Sequence, residues 1–388
     1  MIRVQRKSVI QQPLSIELRK PAPLPKGNLQ KTIAFGFATL LAAALAIGLY
    51  RWQGLKGLFV HSVYYFLWAS LAGFCWVLWD VTTEKQFSIR NKFLSLRLPL
   101  AIALSLVTLS FLTTDIGLRV LADEANLLST SLSLYLDQSL RIITEGLYVY
   151  DTFYPIGYAD AGRPALFPFV VHIFHCLFGF NGFHSFAVNF VCAVLSLAAI
   201  ILFGRKIWDL RSGIFACALL VSFPLFAIVC TSGGYEVINI LFFCLFFFQL
   251  YRFLENPSAL QLELLFYVLL FACHCRYETP LLVIPFALAA LNHSKSVLRT
   301  PIRWRIVAIP FLFLPIAWQR ITVGFAGLIT LEGRPKLFNL DYVVENTKLG
   351  FQFFFDTHNT GHPISRLAAG LSILGAIWII VDFWIKRR

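Results

Sequence analysis

Residues 186–204 read FAVNFVCAVLSLAAIILFG, and Arg205 and Lys206 follow directly. An apolar run of this length is what a helix needs to cross the hydrocarbon core of a bilayer, about 20 residues. Comparable apolar runs recur at about 32–50, 58–79, 98–114, 213–231, 235–254, 304–319 and 366–385. The sequence therefore predicts an all-α polytopic membrane protein, a bundle of about nine full or partial transmembrane helices.

The composition leads to the same fold class. The chain of 388 residues is 58% hydrophobic and only 14% charged, whereas soluble domains are nearer half apolar and a quarter charged. So large an excess cannot be hidden in one water-soluble core, and one membrane domain is expected rather than two soluble ones. The eight cysteines all lie in apolar segments, where they behave as small hydrophobic side chains rather than as a disulfide framework.

The positive charge of the chain predicts its orientation in the membrane. The net charge of +13 is gathered between the apolar runs, which favours topology signals over nucleic-acid binding. Residues 1–31 are predicted to be a basic cytoplasmic tail without a cleavable signal sequence. Residues 32–97 are predicted to form a transmembrane hairpin with a cytoplasmic loop, and residues 98–388 the main membrane domain. Both termini are expected inside.

Two long segments are expected on the extracytoplasmic side, 115–163 and 320–364. Loops of this length are uncommon and usually functional. Apolar residues recur at helical spacing between Leu127 and Leu147, which predicts that part of the first segment is an amphipathic helix at the membrane interface. Residues 164–180 are expected to form a short helix at the outer surface.

Charged residues interrupt one of the apolar runs. The run 264–291 is too long for one ordinary span and contains Arg276 and Glu278. Because the following basic stretch should return to the cytoplasm, we expect two short helices with Arg276, Tyr277 and Glu278 at their outer tip. An ionisable residue at membrane depth is unfavourable unless it is paired, so it suggests a functional site.

The adjacent acids Asp123 and Glu124 open the first outer segment. A carboxylate at the membrane surface beside a like charge can act as a general base. The same pair also fits an ordinary solvated surface. The sequence alone leaves these two interpretations open.

A series of short motifs surrounds these acids. Its members, in order, are Ala122-Asp123-Glu124, Arg163-Pro164-Ala165-Leu166-Phe167-Pro168, Leu177-Phe178-Gly179, Arg205-Lys206, Pro224 and Glu236. Over about residues 98–291 this order resembles the dolichyl-phosphate-mannose–protein mannosyltransferases and their bacterial relatives, including the aminoarabinose transferases. The chain departs from that pattern at Ala165, where the family has a proline, near Asn189, where it commonly has an arginine, and in its two additional N-terminal helices. It also ends soon after the second outer loop.

The resemblance implies a glycosyltransferase of the GT-C type with a GT-C-like helical bundle. Such an enzyme would transfer a hexose or pentose from a polyprenyl-phosphate-linked donor to a lipid, glycan or protein acceptor. It would sit in the inner or plasma membrane, work on the extracytoplasmic face and invert the sugar. Asp123 and Glu124 would be catalytic, with Asp123 as base, and Arg163 and Arg276 would bind the donor phosphate.

Each of these roles has a structural alternative. Arg163 also fits an interfacial anchor, and Arg276 fits an ion pair with Glu278 or Glu236, either of which could instead be a second acid. No cofactor or metal ligand is predicted, although the sequence leaves a divalent metal open. Asp356, His358 and His362 are residue types that bind zinc, but scattered histidines in a loop are more often ordinary loop residues. A lipid-linked glycan transporter or flippase and a non-catalytic subunit are the competing functions.

Overall fold

The computed structural model describes residues 26–50, 56–83, 89–150, 152–292, 300, 302–319, 343–349 and 363–386. The first 25 residues of the expected tail and most of the second outer segment lie outside these ranges. The hypothesis on Asp356, His358 and His362 therefore falls outside the described residues.

Long apolar helices dominate the described part of the chain. They are α1 (Lys26–Tyr50), α2 (Lys56–Thr83), α3 (Ile89–Thr113), α6 (His184–Ile207) and α9 (Glu236–Glu255). In the described ranges, five helices are long and apolar enough to cross a membrane, or six if one bent pair is a single span. The prediction of an all-α polytopic membrane protein is confirmed. Shorter apolar stretches occupy the remaining predicted spans, among them Trp304–Gln319 and Gly370–Asp382 within the C-terminal helix Pro363–Lys386.

The segment after α3 combines a helix with a β-hairpin. The helix α4 spans Leu121–Asp137, and the strands β1 (Arg141–Val149) and β2 (Thr152–Asp160) pair antiparallel. The helix predicted for part of this segment is present as α4 but ends at Asp137, and the apolar residues beyond it, as far as Leu147, lie in the hairpin. Chain direction changes at Gln138, whose φ of 52° is left-handed, and the following sequence is rich in the β-branched and aromatic residues that favour strands. The short helix α5 (Leu166–Phe178) then forms where it was predicted.

The strand β1 is fixed to α4 by one serine. Ser129 Oγ donates to the carbonyl oxygen of Ile143 and accepts from its N–H, both at 2.8 Å. These bonds satisfy backbone groups of Ile143 that β2 does not reach and hold the hairpin against α4. The hairpin closes on Tyr150, which adopts a left-handed φ of 47° of the kind that tight hairpin turns require.

The next predicted span is bent. The helices α7 (Leu210–Val221) and α8 (Pro224–Cys230) meet at an angle of 81°. Pro224 has no N–H to donate to the preceding turn, so it ends α7 and serves as the first residue of α8. The chain continues through the buried segment 231–235 before α9 begins. On the other side, α7 crosses α6 closely: a Cβ on Gly204 would lie 2.5 Å from the Cα of Gly213.

The interruption predicted in the run 264–291 is confirmed. The helix α10 spans Ala259–Cys275, and Arg276 is extended, with φ −147° and ψ 153°. A 3-10 turn, Thr279–Leu282, leads into α11 (Val283–Asn292). Every residue of α10 from Leu260 to Cys275 except Phe266 is buried, so this helix runs through the centre of the bundle and presents Arg276 at one end.

Charged side chains cluster at the opposite end of α10. Glu263 is fully buried and pairs with Arg305, Nε–Oε1 2.8 Å, while Asp80 pairs with Arg303 at 2.9 Å. Glu263 and Arg276 are 13 residues apart on the chain, which corresponds to about 20 Å along a helix. The end of the bundle that carries Arg276, α4 and the β-hairpin is called the site end below.

Candidate active site

Asp123 and Arg163 form a two-point ion pair at the site end. Arg163 Nε lies 3.2 Å from Asp123 Oδ1, and Nη2 lies 2.5 Å from Oδ2. Asp123 sits in the first turn of α4, and Arg163 just precedes α5. The hydrogen bonds that Arg163 donates to Asp123 raise the pKa of Arg163 above its ordinary value, so the guanidinium stays charged. The side chains are 41% and 34% exposed for Arg163 and Asp123, so a ligand can reach both.

Glu124 points into the protein instead. Its Oε1 accepts from the backbone N–H groups of Arg119 (3.2 Å) and Val120 (3.1 Å), and its Oε2 accepts from the N–H of Gly233 (2.7 Å). The residue is only 4% exposed. A Cβ on Gly233 would lie 3.2 Å from Oε2 and 2.9 Å from Leu118. Glycine at this position therefore lets the backbone approach the carboxylate closely.

Asn189 holds the same segment from α6. Its Nδ2 donates to the carbonyl oxygens of Ser232 (2.7 Å) and Gly234 (2.8 Å), and the side chain is fully buried. From the sequence, Asn189 stands out only as a departure from the family pattern. A single amide inside an apolar span was the signal that could have identified it, because buried polar groups need partners.

Tyr235 was not predicted as a site residue, yet it joins the two arginines. The Arg276 guanidinium lies 5.4 Å from the centre of its ring, within the range of a cation–π contact. Arg163 and Asp123 also lie within electrostatic reach of its hydroxyl. Burial raises the pKa of Tyr235, so the phenol keeps its proton. Its position directly before Glu236 and after two glycines was the available sequence signal.

The remaining predicted acids differ in position. Glu236 opens α9, is partly buried and lies within electrostatic reach of Arg276 and Asp123. Glu278 is 69% exposed at the rim and pairs with Arg276, Nε–Oε2 3.3 Å. The structure therefore brings Asp123, Arg163, Arg276 and Glu236 to one place, with Glu124 beneath them and Glu278 at the edge.

Two further side chains attach neighbouring helices to the backbone around Arg163. Tyr277 Oη donates to the carbonyl oxygen of Gly162 at 3.3 Å. Gln319 Nε2, at the end of the helix Trp304–Gln319, donates to the carbonyl oxygens of Arg163 (2.5 Å) and Ala161 (3.0 Å). These bonds fix the approach of α10 and of the helix 304–319 to the site.

The histidines of α5 lie behind this site. His175 Nε2 is 3.1 Å from Ser131 Oγ, and His175 Nδ1 is 2.8 Å from His184 Nδ1. At 13 residues α5 is too short to span a bilayer. Burial lowers the pKa of His172 and His175 to about 4, so both are neutral at pH 7. Within the described ranges, no group of three or more His, Cys, Asp or Glu side chains is arranged to hold a metal ion.

A family model now adds to this geometry. The model of dolichyl-phosphate-mannose-protein mannosyltransferases matches residues 162–318, which confirms the resemblance. The match supports a glycosyltransferase of the GT-C type. It includes Arg163, Tyr235, Glu236 and Arg276 but begins after Asp123, so its limits differ from the 98–291 expected from the motifs. Neither a curated protein nor a solved structure shows significant similarity to the chain.

Proposed function

We propose that the protein transfers a sugar from a polyprenyl-phosphate-linked donor to an acceptor on the extracytoplasmic face of the membrane. The observation that carries this proposal is the meeting of one carboxylate, Asp123, with two arginines, Arg163 and Arg276, around Tyr235. A base and paired cations are the groups that sugar transfer from a phosphate leaving group requires.

The two arginines receive the donor phosphate. When the bond between the anomeric carbon and the phosphate oxygen breaks, the polyprenyl phosphate leaves with its bonding electrons, and negative charge grows on it. A guanidinium binds such oxygens in a planar fork. Arg163 is already oriented by Asp123, and Arg276 is oriented by Tyr235 and Glu278.

Asp123 takes the proton of the acceptor. As the acceptor oxygen bonds to the anomeric carbon, its proton passes to the carboxylate, so that charge and atoms balance in one displacement. A single displacement inverts the configuration of the sugar. Glu124 is assigned a supporting role, because three backbone N–H groups occupy its two oxygens.

The ion pair also links donor binding to the base. Without a donor, Arg163 holds both oxygens of Asp123. A donor phosphate that engages Arg163 competes for the same N–H groups and frees one carboxylate oxygen. The acceptor's proton then has a place to go only when a donor is present.

The charge of the opposite end supports an extracytoplasmic site. Arg205, Lys206, Arg303 and Arg305 flank the ends of the helices far from the site end, and such basic segments favour the cytoplasm. An impermeant thiol reagent on intact cells tests the side. Cysteine at position 150, in place of the 98% exposed Tyr150, should react from outside; labelling only after lysis would contradict the assignment.

The catalytic role is tested with Asp123→Asn in the purified protein. Removing the basic oxygen should slow sugar transfer at least about a hundredfold, while binding of polyprenyl-phosphate sugar remains. Glu145→Gln, which alters an exposed carboxylate in the hairpin of the same segment, is the matched control and should transfer normally. Transfer by Asp123→Asn at nearly the wild-type rate would remove Asp123 as base, and a wild-type protein that transfers no sugar would favour the transporter or subunit alternatives.

A further inference from the structure

An apolar groove lies between α1 and the centre of the bundle. Its volume is about 310 Å³, at the lower end of the range of about 300–1,000 Å³ for ligand pockets. Thr39 is the one polar residue among those that line it. The groove is therefore suited to an apolar ligand and offers almost nothing to a polar one.

One face of α1 forms a wall of this groove. Phe35, Thr39, Ala42 and Ala46 line it, at intervals of three or four residues that place them on one side of a helix. The other walls come from α10, α11 and the helix Trp304–Gln319. At the N-terminal end of the α1 face, the rings of Phe35 and Phe266 meet with centroids 5.6 Å apart and close the groove.

The opposite end of the groove continues toward the candidate active site. Ala317 lines the groove and lies two residues before Gln319, about 3 Å along a helix. Gln319 in turn donates to the carbonyl oxygen of Arg163 at 2.5 Å. On another wall, Val283 follows the tip that carries Arg276. Both predicted phosphate ligands are thus attached to elements that wall the groove.

We infer that this groove holds the isoprenoid tail of the donor lipid, with the phosphate at Arg163 and Arg276. The inference rests on the proposed function and adds the place where the lipid lies. A linear hydrocarbon of this kind fits a cavity without polar demands, and the tail would leave the phosphate site beside Gln319 and run between α1 and the helix Trp304–Gln319. The inner closure by Phe35 and Phe266 would direct the rest of the tail sideways into the bilayer.

This assignment gives the N-terminal hairpin a role in substrate binding. The helix α1 lies outside the residues that match the mannosyltransferase family, 162–318. Without α1 the apolar side chains of α10 and the helix Trp304–Gln319 that line the groove would face ordinary lipid. In this proposal α1 makes the site selective for the long isoprenoid tail of the donor over an ordinary bilayer lipid.

The test uses two tryptophan substitutions on α1. Ala46→Trp fills the groove, whereas Ala44→Trp places the same side chain on the exposed opposite face, because two residues turn a helix by about 200°. The full-length protein in bilayers is photolabelled with polyprenyl phosphate that carries a diazirine in its tail. Wild type and Ala44→Trp should be labelled on α1 and on 309–317, and Ala46→Trp should lose at least about 90% of that label, a tenfold effect of ~1.4 kcal/mol. Thr39→Trp is a second groove variant in case Ala46→Trp does not fold.

Kinetics separate this inference from the proposed function. Ala46→Trp should raise the KM for a long-tailed donor about tenfold and leave transfer from a short-tailed, water-soluble donor unchanged. If wild type transfers from neither donor, the proposed function fails while the labelling still tests the groove. Equal labelling of Ala46→Trp and Ala44→Trp would overturn the inference. Displacement of the label by phosphatidylglycerol as readily as by unlabelled polyprenyl phosphate would also overturn it and assign the groove to bilayer lipid.

Discussion

Replacing Glu124 with glutamine should release the segment 231–235 without unfolding the protein. The carboxylate accepts hydrogen bonds from three backbone N–H groups, two in the residues just before α4 and one in Gly233. Glutamine has one acceptor oxygen, and its amide group presents further N–H donors to whichever backbone group it faces. Either orientation leaves at least one buried donor without an acceptor.

The magnitude follows from these contacts. Hydrogen bonds to charged groups contribute about 1.5–3 kcal/mol, and an unsatisfied buried donor costs about 1–3 kcal/mol. Losing the 2.7 Å bond to Gly233 should thus weaken the attachment of the segment by about 2–4 kcal/mol. Asn189 still holds the carbonyl oxygens of Ser232 and Gly234, so the chain should stay folded while Tyr235 loses its fixed position.

Hydrogen exchange measures this directly. The amides of Gly233 to Tyr235 should exchange at least about thirtyfold faster in Glu124→Gln, since 2 kcal/mol corresponds to about that factor. Transfer should fall in parallel, and the exposed control Glu145→Gln should change neither quantity. Normal protection of these amides together with lost transfer would refute the positioning role and return Glu124 to chemistry. Protection and transfer that both remain normal would show that the segment does not depend on this carboxylate.

Three further predictions concern other parts of the molecule. Arg276→Lys keeps the charge but loses the planar fork, so transfer should fall at least about tenfold with normal expression; full activity would make Arg276 structural. Burial lowers the pKa of His172 to about 4 in the folded protein, against about 6.5 in the unfolded chain, so the free energy of unfolding should fall as the pH is lowered from about 6.5 to about 4. His172→Phe should reduce that loss, measured by thermal unfolding at a series of pH values. An unchanged pH profile would contradict the buried neutral ring. Glu263→Gln leaves Arg305 without its buried partner and should destabilise the protein near the lower end of about 3–5 kcal/mol, because Arg305 still pairs with Asp80. Glu255→Gln removes the partly exposed pair with Lys206 and should cost less than about 1 kcal/mol. Equal losses of stability would show that burial does not set the difference.

The spans could be predicted because each is encoded within a single stretch of chain. The expected 235–254 and the observed Glu236–Glu255 differ by one residue at each end. Charge in an apolar run likewise revealed the break at Arg276. The hairpin could not be recognised, because its turn at Tyr150 lacks the Asn-Gly or Asp-Gly signal of tight turns, and Leu127 and Leu147 happened to continue a helical period.

The site was predictable in its residue types and, among its contacts, in the ion pair between Arg276 and Glu278. Asp123 and Arg163 are 40 residues apart, and Glu124 and Gly233 are 109 apart, so no local pattern records either pair. Because successive residues on a helix point in different directions, the sequence predicts that only one of the two adjacent acids faces the site. Asp123 pairs with Arg163, and Glu124 binds the backbone of another segment.

The bend of 81° at Pro224 has a consequence for the order in which the chain assembles. Backbone that is neither helix nor sheet survives at membrane depth only when protein groups satisfy it, and here the satisfying groups belong to α4 and α6. The segment 231–235 can take its observed path only after Glu124 and Asn189 are in position, so we expect residues 210–230 to enter the bilayer as one nearly continuous apolar segment that bends at Pro224 afterwards. Tyr235 would then reach its place late in folding, and a pulse of newly inserted protein should contain molecules with every span in place and the candidate site not yet formed.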